Sequence, residues 1–332
     1  MTRITLSGCA LAALMTAGLT TAAGAADCNV GVSMYTLGAP YFAAQEAAAK
    51  DQATKAGCSV TSADAQNDMN KQIGDVEDMI AKGINLLILN PRDPEGLVPA
   101  VNAAAAQGVK VVIIDSSLNP KANFVTLVQS SNDQNGYLVG QWLANATQGK
   151  HLKIALISGD KGNVVGQNRR LGVFKGLVEG QLVNEGKVSF EVVGQGWGGW
   201  SEGGGLKATE DLLTAHPDVN VLLGENDSMV LGGIKALEAA GKKPAAALGG
   251  ENDVLALAAA DGQKEALKMI QDGKYGATGL NDPDLVARTA VDLGMKALDG
   301  SLPSDWPKIY YTTPAAITKD SVDKYYRPDA VF

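Results

Sequence analysis

The fold is decided by the stretch INLLILNPRDPEGLVPAVNAAAAQGVKVVIID, residues 84–115. Two short apolar runs, INLLILN and VKVVIID, flank a segment in which alanine, leucine and valine recur at three- and four-residue spacing. Short apolar runs are typical of buried strands, and apolar residues that recur every three or four positions are typical of a helix with one apolar face. The stretch therefore predicts a strand, a helix and a second strand, which is the repeating unit of a parallel sheet.

The same unit recurs along the rest of the chain. Apolar runs followed by helical patterns occur at KIALISG, VSFEVVG, VNVLLGE and AAALGGE. The alternation runs twice, with a seam at residues 127–134, and a chain of 332 residues is typical of two domains. The prediction is an α/β protein of two Rossmann-like lobes, each a parallel sheet flanked by helices.

The ends of the predicted strands indicate where a ligand would bind. Ligands of such sheets lie beyond the carboxyl ends of the strands, so the residue at which each apolar run stops is informative. These residues are Tyr35, Asn90, Asp115, Ser130, Gly159, Trp197, Asn226, Glu251 and Asn281. They are mostly polar or aromatic, and the two histidines, His151 and His216, have no metal-ligand spacing. The sequence predicts a polar binding site without a metal ion or cofactor.

The N-terminus predicts export. Residues 1–26 have an early arginine, an apolar middle, and small residues at Ala23 and Ala25, which is the layout of a cleaved signal peptide. Lipoprotein cleavage at Cys9 is the alternative, but it would leave too short an apolar core. No later segment reaches the roughly 18 apolar residues that a membrane span requires. The net charge of -8 argues against nucleic acid as a partner.

Two cysteines, Cys28 and Cys58, remain after removal of the signal peptide. They precede the runs NVGVSM and SVTSAD. If these runs are the first two strands of a parallel sheet, their starts lie side by side, within disulfide distance. An oxidising compartment favours a Cys28–Cys58 bridge over two buried thiols.

The glycine-rich segment GQGWGGWSEGGG, residues 194–205, matches two further patterns. Its first three spaced glycines fit a dinucleotide-binding turn, and Ser201 with its flanking glycines fits the elbow of a hydrolase nucleophile. Trp197 opposes the first pattern, because backbone must approach a pyrophosphate there. The second pattern lacks a partner, because His216, the only downstream histidine, ends the next helix on the far side of the sheet.

Five longer stretches carry a family resemblance. They are VSMYTLGAPYFAAQEAAAKDQATKAG (32–57), NKQIGDVEDMIAKGINLLILNPRDPEGLVPAVNAAAAQGVKVVIIDSS (70–117), GQNRRLGVFKGL (166–177), LLTAHPDVNVLLGENDSMVLGGIKAL (212–237) and GATGLNDPDLVARTAVD (276–292). Together they resemble the periplasmic solute-binding proteins of sugar ABC transporters, the type that includes the ribose- and galactose-binding proteins. LacI-type repressors share that fold but begin with a helix-turn-helix, where this chain has a signal peptide.

The resemblance implies two lobes joined by three crossovers that close on one monosaccharide-sized ligand, without catalysis. The implied boundaries are 27–129 plus 282–311 for the N-terminal lobe and 130–281 plus 312–332 for the C-terminal lobe. The protein is expected to be a periplasmic monomer that captures a monosaccharide or sugar alcohol and delivers it to the membrane permease of an ABC importer. A secreted α/β enzyme acting on a small carbohydrate is the alternative, although no Ser-His-Asp, Cys-His or metal set supports it.

In the first lobe, the resemblance implies an aromatic wall and a hydroxyl acceptor. Tyr41 and Phe42 are expected to form the wall, helped by Tyr35 at a strand end. Asp115 is expected to accept hydrogen bonds from two adjacent hydroxyl groups, since a carboxylate offers two acceptor oxygens. Ser116 stands where ribose-type members carry arginine, and this departure weakens any assignment of ribose as the ligand.

In the second lobe, the resemblance implies polar groups that face the ligand. Arg170 matches an arginine that donates forked hydrogen bonds to sugar oxygens, and Arg169 is expected to face solvent. Asn226 is expected to touch the ligand and Asp227 to cap the next helix. Glu251 stands where an aspartate is usual, which suits a smaller or more flexible ligand, such as a sugar alcohol, or the ammonium group of an amino sugar.

Two further positions complete the implied site. Asn281 is expected to close the polar ring at a crossover. Trp200 matches the aromatic position of the second lobe, so that a sugar ring or carbon chain would lie between Trp200 and the wall of the first lobe. For Trp197, the rim of the cleft and the surface of the lobe remain equal alternatives.

Overall fold

Strands and helices alternate along most of the chain, as the sequence predicts. The strands are β1 (Asn29–Met34), β2 (Ser59–Asp64), β3 (Leu86–Asn90), β4 (Lys110–Ile114), β5 (Thr126–Ser130), β6 (Leu152–Ser158), β7 (Phe190–Trp197), β8 (Val221–Gly224), β9 (Lys243–Ala245), β10 (Asp253–Ala258), β11 (Ala277–Gly279), β12 (Ile309–Thr312) and β13 (Ala316–Thr318). The helices are α1 (Pro40–Lys55), α2 (Met69–Ala81), α3 (Val98–Ala106), α4 (Asn132–Ala146), α5 (Val164–Glu185), α6 (Glu202–Ala215), α7 (Asp227–Ala239), α8 (Lys264–Gln271) and α9 (Pro283–Leu298).

The structure, a computed structural model, describes Met1 and residues 28–332. Apart from Met1, the predicted signal peptide therefore lies outside the described residues. Within residues 28–332, no helix combines the length and the apolar character needed to cross a membrane. In the same range, no three histidine, cysteine, aspartate or glutamate side chains are grouped so that they could hold a metal ion.

The first sheet has six parallel strands in the order β12-β5-β4-β3-β1-β2. Successive side chains of a strand point to opposite faces of the sheet. In β3, Leu86 lies in the core beneath α1 and α9, whereas Leu87 lies in the core beneath α2 and α3. Both faces of the sheet are covered, which explains why these strands are continuous apolar runs.

The second sheet has five parallel strands in the order β7-β6-β8-β10-β9. Ile157 of β6 lies in the core beneath α6, α7 and α8, and its neighbour Leu156 lies in the core beneath α4 and α5. Each sheet thus has its own pair of apolar cores. The predicted class of two parallel sheets flanked by helices is confirmed.

The chain passes between the two sheets three times. After β5 it enters α4, which packs on α5 of the second sheet. After β11 it enters α9, which packs on α1 and on β3, β4 and β5 of the first sheet. After β12, an edge strand of the first sheet, it enters β13, which pairs antiparallel with β11. The three passages lie at residues 130–132, 279–283 and 312–316.

Cys28 and Cys58 form the predicted disulfide. Because β1 and β2 pair with Asn29 opposite Ser59, the residues that precede the two strands stand side by side, with their Cα atoms 4.6 Å apart. The bridge joins positions 30 residues apart in the sequence. It stabilises the first lobe chiefly by restricting the unfolded chain.

One strand begins later than the sequence predicts. The run AAALGGE was expected to be a strand that ends at Glu251, but β9 ends at Ala245 and the next strand is β10, Asp253–Ala258. The backbone N–H groups of Gly249 and Gly250 donate to Oδ2 of Asp253 at 3.0 and 2.6 Å, so this segment is a turn that leads into β10. The first carboxylate after the strand is therefore Asp261.

Candidate ligand site between the two lobes

A cavity of about 150 Å³ lies where the carboxyl ends of strands from both sheets meet. We call it the ligand cavity. Its lining residues are Tyr35, Ala39, Pro40, Tyr41, Phe42, Asp115, Ser116, Asn163, Val165, Arg169, Trp200, Asn226, Ser228, Asp261, Asn281 and Phe332. Several of them directly follow strands, which is the position at which α/β sheets place ligand-binding groups.

The first lobe lines the cavity with three aromatic rings. α1 begins at Pro40, whose fixed φ suits the first helical position, and Tyr41 and Phe42 follow in its first turn. The ring of Phe42 lies edge-on to both tyrosines, with centroids 4.8 Å from Tyr35 and 5.4 Å from Tyr41. These edge-on contacts fix the rings relative to one another and give the first lobe a preformed aromatic wall.

A chain of buried polar groups connects the two lobes across the cavity. The hydroxyl oxygen of Tyr41 lies 3.0 Å from Oδ1 of Asp115 and 2.9 Å from Oδ1 of Asn281. Nδ2 of Asn281 donates in turn to Oδ1 of Asp261 at 3.3 Å. The Tyr41 hydroxyl has one proton to donate, but two acceptor oxygens lie near it, on Asp115 and Asn281. These oxygens can therefore still accept a hydrogen bond from a ligand hydroxyl group that enters the cavity.

Arg169 of α5 is the buried cation of the site, with 4% of its surface exposed. Nη1 lies 2.9 Å from Oδ1 of Asp261 and donates to the carbonyl oxygen of Glu225 at 3.1 Å. Nε donates to Oδ1 of Asn132 at 2.8 Å. Partners from three different segments hold the guanidinium in one place, so it presents a fixed set of donors beside the cavity.

Trp200 lines the opposite side of the cavity, between β7 and α6. Its backbone φ is +61°, and that of the preceding Gly199 is +55°, so two successive left-handed residues turn the chain sharply after the strand. The indole packs over Gly159, where an added Cβ would lie 2.0 Å from Cε2 of the indole. The guanidinium carbon of Arg169 lies 5.8 Å from the centre of the indole, a cation–π distance.

Burial raises the pKa of two titratable groups of the first lobe, Tyr41 and Asp115. Burial, followed by the negative charge of Asp115, raises the pKa of Tyr41 well above its ordinary value. Burial also raises the pKa of Asp115, against the opposing effects of the Arg169 charge and the Tyr41 hydrogen bond. The tyrosine hydroxyl therefore stays protonated at neutral pH and serves as a donor.

Asp227 supports the loop that carries Asp261. Its Oδ2 accepts hydrogen bonds from the backbone N–H groups of Gly262 and Gln263, both at 2.8 Å. Its Oδ1 accepts a hydrogen bond from the hydroxyl of Tyr275 at 2.6 Å. Asp227 is fully buried, and burial together with the negative charge of Asp261 raises its pKa to about 7.

We expect this carboxyl group to make stability depend on pH. From about pH 4 to about pH 7, the folded protein holds a proton on Asp227 that the unfolded chain releases, so rising pH lowers the free energy of unfolding. Asp227→Asn keeps an acceptor for Gly262 and Gln263 but cannot ionise. Urea unfolding of both proteins should therefore show the wild type losing stability relative to the variant across this window. A stability difference that does not change with pH would contradict a titrating Asp227.

Comparison with protein families decides what this fold is. Residues 30–302 match the model of the periplasmic binding protein domain family. The chain belongs to the periplasmic binding protein family. The ribose import binding protein of Bacillus subtilis (strain 168) is 33% identical to it over 272 residues, which cover 82% of this chain and 82% of that protein. The corresponding protein of Escherichia coli (strain K12) is 28% identical over 82% of this chain and 85% of its own length.

Solved structures of the family superimpose on this binding protein along most of its length. An ABC transporter solute-binding protein from Mycobacterium smegmatis, with bound glycerol, is 30% identical with a TM-score of 0.75, covering 92% of this chain and 98% of that chain. The myo-inositol binding protein of Caulobacter, bound to myo-inositol, is 27% identical with a TM-score of 0.75, covering 89% of this chain and 95% of that chain. Both support the two-lobed fold.

Most of the residues predicted for the site lie together in this binding protein. The predicted residues that line the ligand cavity are Tyr35, Tyr41, Phe42, Asp115, Ser116, Trp200, Asn226 and Asn281. Trp197 was expected either at the rim of the cleft or on the surface of the lobe, and in the structure it lies on the surface. Its side chain lines no part of the cavity, is 38% exposed and lies beneath Nζ of Lys161.

The predicted roles of the two neighbouring arginines are corrected by the structure. Arg169, expected in solvent, lines the ligand cavity, and Arg170, expected at the ligand, does not. Nη1 of Arg170 instead pairs with Oε1 of Glu225 at 2.7 Å, and Oε2 of Glu225 accepts from the N–H of Gly159 at 2.9 Å. Consecutive residues of a helix point about 100° apart, so a resemblance between short motifs cannot decide which arginine faces the cleft.

The expectation that Glu251 reaches the ligand is wrong in this structure. Glu251 is exposed in the turn before β10, beside Lys150, His151 and Lys242. Asp261, which follows β10 at its carboxyl end, is the carboxylate that lines the cavity. The longer side chain of Glu251 therefore gives no support for a smaller or more flexible ligand, or for an amino sugar.

The expected roles of Asn226 and Asp227 also change. Asn226, expected to touch the ligand, lines the ligand cavity and also caps α7, since its Oδ1 accepts from the N–H of Met229 at 3.1 Å. Asp227, expected to be the cap, binds Tyr275 and the loop after β10 instead.

Sequence reasoning missed eight residues that line the cavity: Ala39, Pro40, Asn163, Val165, Arg169, Ser228, Asp261 and Phe332. A more careful reading of strand ends could have found two of them. Asn163 follows β6 and caps α5, and Asp261 follows the apolar run VLALAAA. For Phe332, the sequence carries no signal, because nothing in it shows that the last residues return to the cavity.

Proposed function

We propose that this binding protein captures one monosaccharide or sugar alcohol in the ligand cavity and hands it to an ABC importer. The observation that carries the proposal is the composition of the cavity. Aromatic rings of the two lobes, Tyr41 and Phe42 on one side and Trp200 on the other, flank polar groups that converge between them. Carbohydrates present C–H faces to flat apolar rings and hydroxyl groups to carboxylates, amides and guanidinium groups.

The size and charge of the cavity favour a small neutral ligand. Its volume of about 150 Å³ is below the range of roughly 300 to 1,000 Å³ typical of sites for drug-sized molecules. Asp261 already has Arg169 as its charged partner, and burial disfavours the charged form of Asp115. The charge of Asp261 is thus offset, and hydroxyl groups find acceptor oxygens on Asp115 and Asn281. The ribose import binding proteins among its relatives, and the solved structures with bound glycerol and myo-inositol, agree with this class of ligand.

Capture is proposed to work by closure of the lobes about the three passages of the chain, at residues 130–132, 279–283 and 312–316. The moving bodies would be 27–129 plus 282–311 and 130–281 plus 312–332. Closure would bury the ligand between Tyr41 and Trp200 and create a surface shared by both lobes. A membrane permease with its cytoplasmic ATPase would recognise that surface. We propose that the protein acts as a monomer.

Two observations bear on location and on catalysis. The signal-like N-terminus and the periplasmic relatives support a periplasmic location. The two histidines, His151 and His216, lie outside the ligand cavity, so the cavity has neither a Ser-His nor a Cys-His pair. We therefore propose a transport receptor without catalytic activity, and no observation favours the carbohydrate enzyme.

A ligand screen followed by solution scattering tests this function. We expect at least one sugar or alditol to raise the melting temperature, because a ligand at 100 times its Kd adds roughly 2.7 kcal/mol to stability. The same ligand should lower the radius of gyration in X-ray scattering while the far-UV circular dichroism stays constant. A sugar that gives no thermal shift serves as the control. Saturation of the site with no change in scattering would exclude closure, and the absence of any carbohydrate ligand would exclude the proposed function.

A further inference from the structure

The last residues of the sequence run back to the ligand cavity. After β13, the chain forms a short 3-10 turn at Val322–Lys324, in which Val322 is buried in the core of the second lobe. Tyr325 and Tyr326 pack against the same core. The following residues, 327–332, which we call the strap, leave that core and line two cavities between the lobes.

Two side chains outside the strap hold it in place. Arg327, the first strap residue, pairs through Nη2 with Oδ2 of Asp282 at 2.5 Å, and the other carboxylate oxygen of Asp282 caps the start of α9. Further along, Nζ of Lys264 from α8 donates to the carbonyl oxygen of Ala330 at 2.6 Å. The strap is therefore attached both to the passage between the lobes and to the second lobe.

Phe332 is the strap residue that reaches the ligand cavity. Its ring lies edge-on to Tyr41, with centroids 5.3 Å apart and planes at 87°. The hydroxyl group of Tyr41 belongs to the polar chain that joins Asp115 to Asn281. A ring from the end of the second lobe thus packs on the aromatic wall of the first lobe, at the edge of the proposed ligand site.

A second and larger cavity lies on the other side of Phe332. This outer cavity has a volume of about 530 Å³ and is bordered by the strap and by Ala44 and Ala47 of α1. The two cavities share two lining residues, Asp261 and Phe332. These two residues separate the two cavities. Asp261 binds Arg169 and Asn281, so its substitution would break the polar chain. The ring of Phe332 can be removed by substitution without breaking that chain.

We propose that Phe332 is a specificity-determining residue that closes one end of the ligand cavity and limits the ligand to the size of a single sugar ring or a short alditol. The inference rests on the proposed function, because it assigns a limit to that same site. With the ring in place, a ligand meets an apolar wall beside Tyr41. Without it, the cavity opens into the outer cavity, which has room for a second sugar ring.

The full chain carrying Phe332→Ala tests this inference by calorimetric titration. The probes are D-ribose, D-galactose, glycerol, myo-inositol and, for each monosaccharide that binds, a disaccharide that contains it. For the tightest small ligand of the wild type, we expect the Kd to rise at least about 10-fold in the variant, as for loss of an aromatic contact. We also expect the variant to bind a disaccharide that the wild type rejects.

Val331→Ala is the matched control, because Val331 belongs to the strap, is 67% exposed and does not line the ligand cavity. Its Kd values should stay within about twofold of wild type. If Phe332→Ala behaves like this control, or weakens small ligands without admitting a larger one, the size-limiting role is overturned while the proposed function stands. If the wild type binds no monosaccharide or alditol in a full screen, the proposed function fails and the inference fails with it.

Discussion

Replacement of Arg169 by methionine is expected to weaken ligand binding at least 100-fold and to lower the free energy of unfolding by about 3 to 5 kcal/mol. The guanidinium is buried against Asp261, Asn132 and the carbonyl oxygen of Glu225. Its loss leaves the Asp261 carboxylate buried without a charged partner, which is far more costly than the loss of an exposed ion pair. Among residues 28–332, it also removes the only buried cation that lines the ligand cavity.

Arg170→Met is the matched control for this prediction, because it makes the same chemical change one residue along the same helix. Arg170 is partly exposed and holds Glu225, whose other oxygen keeps its hydrogen bond from Gly159. We expect this variant to lose stability as well, because the buried Glu225 carboxylate loses its charged partner, but to bind ligand with a Kd within about threefold of wild type. Calorimetric titration and urea unfolding of both variants separate the two effects. Loss of binding in Arg170→Met alone would reverse the assignment of the two arginines.

The architecture could be predicted because it depends on patterns that are local in the sequence. Short apolar runs separated by helical periodicity specify parallel sheets covered on both faces, and the structure has two such sheets. The disulfide could be predicted for a related reason. Adjacent parallel strands start at the same edge of a sheet, so Cys28 and Cys58 have to stand side by side.

The lining of the site was predicted from two sources: strand ends, and the family resemblance that supplied Tyr41, Phe42 and Trp200. Asp115 and Asn226 follow strands whose ends are clear, and both line the cavity. The prediction for Glu251 fails because most of the run AAALGGE lies outside the strands. Its two glycines form the turn that leads into β10. A shift of a few residues in one boundary therefore moves the expected carboxylate from one edge of the sheet to the other.

The arginine and the strap could not be predicted, because tertiary packing decides both. Arg169 and Arg170 have the same chemistry and adjacent positions, and the choice between them depends on how α5 is rotated against β8 and the loop after β10. Phe332 lies near Tyr41 through contacts made by Lys264 and Asp282, which are distant from it in the sequence. Such contacts leave no periodic pattern in the chain.

Trp200→Ala is expected to raise the Kd of the ligand about 30-fold to 1,000-fold, which corresponds to roughly 2 to 4 kcal/mol. The indole supplies the aromatic face of the second lobe, opposite Tyr41 and Phe42, and it also lies against the guanidinium of Arg169. Alanine at position 200 would leave a void over Gly159 and remove the aromatic contact of the Arg169 guanidinium. Stacking on the C–H face of a sugar would be lost together with the shape of the cavity.

Trp197→Ala is the control for this substitution, since it removes the same side chain three residues earlier, from the surface of the lobe. We expect its Kd to stay within about threefold of wild type. Trp200 also packs partly against the core of the second lobe, so Trp200→Ala should lower the melting temperature as well. Titration of the folded variant separates the two roles, because a purely structural tryptophan would cost stability without changing the Kd. A folded Trp200→Ala protein that binds as tightly as wild type would therefore exclude the stacking role.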